Sequence, residues 1–271
     1  MEIKNCIVNS TISNTANVTT GVFTGGIVGA AGGEVNVKRC SMKGNIIATE
    51  RAVGGIIGGT ESSNTPVVNE CAYLEGTIQG KYRNGGIVGY APGSVIITNC
   101  YSSGILKGSG YSGGIVGFYE GKVTGKTISN CYSTMTNENT GNANAGIVGC
   151  FGSSTDTTRD TQNTGTVTKC IAWNDNIAGT TRNTCGCIVG AAGRKSTLAD
   201  NFYNPLMTTG FTKTTHENSD ANNPLETYDS YDGKAAGADE TVSSIAENTL
   251  GWSGDIWDFT TALPTLKNLP K

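Results

Sequence analysis

Gly85-Gly86-Ile87-Val88-Gly89 decides how this chain is read, because the same phrase keeps returning. It stands at Gly25-Gly26-Ile27-Val28-Gly29, at Gly54-Gly55-Ile56-Ile57-Gly58 and at Gly113-Gly114-Ile115-Val116-Gly117. It then varies to Ala145-Gly146-Ile147-Val148-Gly149 and Gly186-Cys187-Ile188-Val189-Gly190. The steps between copies are 29, 31, 28, 32 and 41 residues. Self-similarity at such a period marks stacked units, none of which can bury its apolar face alone.

A second phrase alternates with the copies, an apolar residue, two others, then Cys: Ile3 to Cys6 ahead of the first copy, then Val37 to Cys40, Val68 to Cys71, Ile97 to Cys100, Ile128 to Cys131 and Val167 to Cys170. Asn precedes the Cys at Asn5, Asn99 and Asn130. A third phrase opens at Gly44, Gly76, Gly104 and Asn176, with Ile46, Ile78, Leu106 and Ile177 at its centre. Three short β-prone pieces separated by turn residues, and no long helical stripe in residues 1–200, predict a triangular coil of three strands. Such coils stack into an all-β parallel β-helix, a solenoid of about six coils over residues 1–203. At a strand spacing of about 4.8 Å the rod would be roughly 30 Å long. Inward Ile and Val would form the core ladder, and Gly would serve corners that need positive φ. In the last repeat the second phrase decays to Asp200-Asn201-Phe202-Tyr203, where Phe202 is expected in the Cys place after a one-residue slip at Leu198.

Beyond residue 204 the period stops. Residues 208–238 are polar and turn-like, and Asp239–Leu250 reads as a short helix with Asp239 or Thr241 as N-cap and Gly251 as its stop. Trp252, Ile256, Trp257, Phe259, Leu263 and Leu266 follow, so residues 204–271 read as a C-terminal capping segment that lays aromatics over the last open coil and hides its edge. Trp173 is the one tryptophan outside that segment.

Composition narrows the function classes. The 39 glycines among 271 residues are about twice the usual share. Residues 1–200 carry a net +3 and residues 201–271 a net −6. Neither is the basic stripe that nucleic acid would want, so no nucleic-acid partner is expected. No apolar run reaches membrane-spanning length. The start, Met1 to Cys6, has neither the basic segment nor the apolar core of a signal peptide and opens in mid-repeat. The chain is therefore read as a segment of a longer protein, and its start is silent on where the parent goes.

Taken together these phrases resemble the GLUG repeat family. The units of that family carry a Gly-apolar-apolar-Gly core and an Asn-Cys-Tyr-Ser turn, matched here by Asn99-Cys100-Tyr101-Ser102 and Asn130-Cys131-Tyr132-Ser133. Its usual ending is matched by Asn201-Phe202-Tyr203, Trp257-Asp258-Phe259 and Leu263-Pro264-Thr265-Leu266. The resemblance covers nearly the whole chain. It implies a right-handed solenoid and a non-enzymatic module of a bacterial cell-surface or secreted protein, adhesin-like or part of the non-catalytic region of an immunoglobulin A protease. It implies an extracellular location, no catalytic residue and no cofactor. The chain departs from the pattern in long insertions at 151–165 and 179–185, and in Cys187, which replaces a motif Gly.

Four groups of residues bear on chemistry. Six of the nine cysteines form a ladder at one repeat position, either as inward small hydrophobes or as inter-coil disulfides. In-register Cβ atoms near 4.8 Å apart favour the former. Cys150, Cys185 and Cys187 lie off the ladder, and with one histidine and no paired CxxC no zinc site is expected. Residues 1–155 contain no Asp, and their Glu residues do not recur at one repeat position, which weighs against a polysaccharide-cleaving wall. Asp229 and Asp232 could touch calcium, with a solvated loop as the plainer reading, and His216 reads as solvated. Last, Tyr90, Phe118 and Tyr119 follow the core phrase in adjacent coils, and Tyr82 and Tyr111 precede it. Facing outward they would form a stripe for host glycan or extracellular protein; the competing reading is structural stacking along the wall. Three functions remain open: an adhesin-like scaffold using that stripe, a carbohydrate-active lyase or hydrolase sited around Asp156, Asp160 and Asp175, and a pure spacer.

Overall fold

The computed structural model describes residues 1–15, 22–49, 51–61, 65–120, 125–152, 165–179, 185–192, 196–213 and 229–270. Those residues form a parallel β-solenoid of about six turns with five walls. The first wall stacks Glu2–Lys4, Asn36–Lys38, Val67–Asn69, Ile96–Thr98, Thr127–Ser129, Thr166–Thr168 and Thr197–Ala199. The second begins at Ile7–Asn9 and runs through Tyr101–Ser102 and Tyr132–Ser133 to Phe202–Tyr203. The third runs from Ile12–Asn14 to Thr208–Thr209, the fourth from Phe23–Gly25 to Asn142–Ala145, and the fifth from Val28–Ala31 to Val189–Ala192.

Five strands per coil, not three, is a correction with a simple cause. Two of the three phrases are corners rather than strands. Asn84–Gly85 ends one strand, Gly86 and Ile87 turn, and Val88–Ala91 starts the next. A Cβ on Gly85 would overlap the carbonyl of Val88, and one on Gly86 would overlap the carbonyl of Gly114 in the next coil. The doublet is thus set by a tight turn for its first residue and by the stacking neighbour for its second. Cys187 departs from the doublet only where no further doublet stacks above it; its amide N–H instead donates to Asp232 Oδ1 at 2.9 Å.

The second phrase turns in another way. The residue before each ladder position sits in the left-handed region, with φ of 56° at Asn5, 55° at Arg39, 53° at Glu70, 52° at Asn99, 53° at Asn130, 54° at Lys169 and 56° at Asp200. Asn tolerates this conformation well, and charged residues take it here because the ladder on either side holds them there.

The ladder cysteines point inward as free thiols. The amide N–H of Cys6, Cys40, Cys71 and Cys100 each donates to the sulfur of the next ladder cysteine at 3.4 Å. Each thiol donates back to the carbonyl two residues earlier, at 3.3 Å for Cys40 and 3.2 Å for Cys131. Burial pushes the Cys100 and Cys170 thiols up, which keeps them protonated as donors. The ladder continues through Asn201, not Phe202. Val167 pairs with Leu198 and Ile171 with Phe202, so there is no slip and Asn201 lies above Cys170.

Ile56, Ile87, Ile115, Ile147 and Ile188 stack inside with Val37, Val68 and Ile97, all buried. Each such side chain contributes about 1.5–3 kcal/mol by leaving water. The upper coils also admit polar groups: Ser102 Oγ lies 3.1 Å from Ser133 Oγ, and Asn144 Nδ2 donates to the carbonyls of Asn139 and Gly141 at 2.7 Å.

The C-terminal segment does something other than lay aromatics over the end. Asp229–Tyr231 pairs antiparallel with the last fifth-wall strand, and Lys234–Ala235 adds to the second wall, so these short pieces cover the open coil. The aromatics run down the side instead. Trp252, Trp257, Ile245, Leu250 and Leu266 bury the outward residues Tyr101, Tyr132, Ile171 and Phe202 of the second wall. Tyr132 Oη donates to the Pro264 carbonyl at 2.8 Å, and Trp252 Nε1 donates to the Lys169 carbonyl at 3.2 Å. The apolar outer wall of successive coils is the reason: Tyr101 and Tyr132 stack at 5.0 Å and need a cover. The helix opens at Thr241, whose side chain accepts from the Ser244 amide, and stops at Gly251 with φ +66°.

Candidate functional site

Two outward columns meet at the crease between the fourth and fifth walls. One is Ala30, Gly59, Tyr90, Phe118, Cys150 and Ala191, in register from coil to coil. The other holds Phe23, Ala52, Arg83, Tyr111 and Ala143, each at or just before a paired fourth-wall strand position. Large side chains in one column lie against small ones in the other: a Cβ on Gly59 would run into the Phe23 ring.

Three of the five aromatics read as a stripe come together here. Tyr90 and Phe118 stack with centroids 5.9 Å apart and planes 9° from parallel, and Tyr111 tilts on Phe118 at 4.7 Å. Phe23, which the sequence reading did not single out, extends the row at 6.0 Å from Tyr90. Arg83 lies over both rings, its guanidinium 4.0 Å from the Tyr90 centroid and 4.9 Å from that of Phe118. Glu120 closes the cluster, pairing with Arg83 at 3.6 Å and accepting from the Tyr90 hydroxyl. Burial, and then the hydrogen bond to Glu120, pushes the Tyr90 phenol up, so it stays a donor at any physiological pH.

The other two aromatics lie elsewhere. Tyr119 points into the core, stacked on Phe151 at 5.2 Å with its hydroxyl on the Val95 carbonyl at 3.4 Å, so it cannot meet a ligand outside. Adjacent residues of a strand face opposite ways, so Phe118 and Tyr119 could not both point outward. Tyr82 packs against Gly110 with Lys81 over its ring at 5.7 Å, away from the stack. Phe118 is also nearly closed off, 3% exposed, which leaves Tyr90, Tyr111, Phe23 and the edge of Arg83 as the accessible surface. Arg83 and Glu120 escaped the sequence reading because neither recurs; the usable signal was that Arg83 stands two residues before the doublet, where Tyr111 stands one coil up.

The carboxylates expected in the long insertions divide. Asp156 and Asp160 lie outside the described residues, as does His216, while Asp175 is exposed. Asp232 is buried rather than in a solvated loop, where it holds the Cys187 amide. Glu70 is likewise buried, paired with Lys38 at 3.3 Å and Arg39 at 3.1 Å. Among the described residues no three His, Cys, Asp or Glu side chains converge as metal ligands would, and no helix is long and apolar enough to cross a membrane.

No protein-family model and no curated protein matches the chain. A solved structure does, that of a protein described as "a putative immunoglobulin A1 protease from Bacteroides ovatus", at 20% identity and a TM-score of 0.69. The match covers 98% of this chain and 75% of the other. At that identity the likeness establishes a shared fold: this chain is a parallel β-solenoid of the same build as that protein.

Proposed function

We propose that the chain is a non-enzymatic scaffold of a bacterial surface or secreted protein, built of GLUG-type repeats, which meets host glycan or extracellular protein through the crease between its fourth and fifth walls. The observation that carries this is the Arg83 guanidinium held over the Tyr90 and Phe118 rings and paired with Glu120. Aromatic faces beside a fixed cation and carboxylate suit sugar rings or peptide side chains, and a stacked solenoid keeps them rigid without help from a ligand. The neighbour of the same fold, described as "a putative immunoglobulin A1 protease", supports a place among proteins that meet host molecules.

The test is binding of the purified chain to arrays of immobilised mucin, host and plant glycans and matrix proteins, beside a Tyr90→Ala/Tyr111→Ala variant whose fold is checked by circular dichroism. Binding reduced tenfold or more in the folded variant supports the crease. Undiminished binding places the contact elsewhere, and no binding by the unaltered chain overturns the reading.

A further inference from the structure

A cleft lies where the second wall turns toward the third. The corner residue there is Ser103 in one coil, Thr134 in the next, Trp173 in the next and Asn204 in the last, each amide N–H bonded to the coil below. Trp173 is thus a large indole above Ser103 and Thr134, with Leu74 below them, and it packs in part against the cluster formed by the second wall and the C-terminal segment. Trp252 and Trp257 are buried, so Trp173 is the one partly exposed tryptophan of the chain. Beside it a cleft of about 380 Å³ opens between Asn204-Pro205-Leu206 of the solenoid and Gly237 to Glu240 of the C-terminal segment. Leu206 stands 86% exposed at its mouth.

Both lips are built in advance. On the solenoid side Asn204 Oδ1 accepts the Leu206 amide at 3.0 Å, and Lys213 Nζ ties down the carbonyls of Pro205 and Met207 at 3.3 and 2.8 Å. On the other side Glu240 Oε2 accepts the Gly237 amide at 2.5 Å while its own amide donates back to the Gly237 carbonyl at 3.1 Å. Among the described residues nothing bonds Asn204 Nδ2 or Glu240 Oε1. The cleft therefore combines a partly exposed indole, an apolar lip, an amide donor and a carboxylate acceptor, all fixed before any ligand arrives.

We propose that this cleft is a subsite for one pyranose ring of a glycan. The indole would take the C–H face of the sugar, and the amide and carboxylate would each take a hydroxyl, the division of labour that an amphipathic ring and a few fixed polar groups provide. Its size falls within the range of small-molecule sites. This rests on the binding-scaffold reading above and narrows it, naming glycan as the ligand and adding a contact that shares no residue with the crease.

The experiment is ligand-observed saturation-transfer NMR on the whole chain. The probes are methyl glycosides of galactose, mannose, fucose, N-acetylglucosamine and N-acetylgalactosamine, with sialic acid, and acrylamide quenching of tryptophan fluorescence runs in parallel. The expected result is transfer to at least one probe in the millimolar range, with that probe shielding tryptophan from acrylamide. Trp173→Ala should weaken binding at least tenfold, Glu240→Gln severalfold, and Trp173→Phe, which keeps an aromatic face, less than Trp173→Ala. Transfer to no probe overturns the subsite, and so does binding that Trp173→Ala leaves unchanged. Array binding that the crease variant loses, together with transfer to no probe, would overturn the cleft alone. An unaltered chain that binds nothing on the array would overturn the scaffold reading with it.

Discussion

Asn201 stands in for a seventh cysteine above Cys170: its Oδ1 accepts the Cys170 amide N–H at 2.9 Å, and its Nδ2 donates to the Val167 carbonyl at 2.8 Å. The thiols below do the same two jobs, accepting an amide from the coil beneath and donating to a carbonyl of that same coil, as Cys71 does with the Cys40 amide at 3.4 Å and the Val37 carbonyl at 3.5 Å. The ladder is thus a hydrogen-bonding column as well as an apolar one. Asn201→Leu should cost about 1–3 kcal/mol because the buried Cys170 N–H loses its acceptor. Asn201→Cys should cost less than 1 kcal/mol. Urea unfolding midpoints of the two variants decide it, and equal midpoints would mean the column is held by packing alone.

The left-handed corner gives a second expectation. Lys169 holds φ 54°, a left-handed conformation that Asn tolerates better than Lys. Lys169→Asn, matching Asn99 and Asn130 at the same repeat position, should stabilise by a few tenths to about 1 kcal/mol. The readout is a thermal midpoint raised by about 2 °C. A lowered midpoint would show that the lysine has a role beyond its backbone.

Gly86 and Cys187 occupy the same motif position with opposite freedom. A side chain on Gly86 would enter the carbonyl of Gly114, whereas Cys187 has no following doublet above it. Gly86→Ala should cost about 3 kcal/mol or more. Cys187→Gly should cost less, about 1–2 kcal/mol, from the buried side chain it loses and the added chain freedom of Gly rather than from a clash. Paired denaturation curves test the contrast.

Glu70 sets a pH dependence. Burial alone would raise its carboxyl, but hydrogen bonds from Arg39 and Lys38 outweigh that and hold it below the usual 4.5. Its contribution is therefore fully present above pH 4.5 and is lost as pH falls through the lower folded value. Asn268 Nδ2 donates to the same carboxylate at 3.3 Å, so this is also where the end of the C-terminal segment is fastened. Glu70→Gln should lose about 2 kcal/mol at pH 7 and show a flatter stability profile between pH 5 and 3. An unchanged profile would mean the acid sensitivity arises elsewhere.

The repeat period and parallel stacking were legible in the sequence because the doublet, the ladder and the apolar positions are all set by one requirement, contact with an identical neighbour. The five-walled section was not. Gly86-Ile87 and Asn99-Cys100 sit inside phrases that read as single β-prone pieces, yet they turn, because their backbone conformations are set by the coils around them. Buried Ser102, Ser133 and Asn144 were equally hidden, since a hydroxyl or amide that bonds inside a coil has the same letter as one on the surface. The candidate site was legible in part. Tyr90, Phe118 and Tyr111 were within reach, but Tyr119 faces the core by strand alternation, and Arg83 and Glu120 are single occurrences with no periodic signal.

The most direct test of the central claim is to incubate the folded chain with the glycan and matrix-protein panel, recover whatever binds, and weigh ligand and flow-through by mass spectrometry. A non-enzymatic binding scaffold predicts retained ligand of unchanged mass, with retention falling at least tenfold in the folded Tyr90→Ala/Tyr111→Ala variant. New reducing ends, unsaturated sugars or cleaved peptides accumulating with time would contradict it and point to chemistry in this chain.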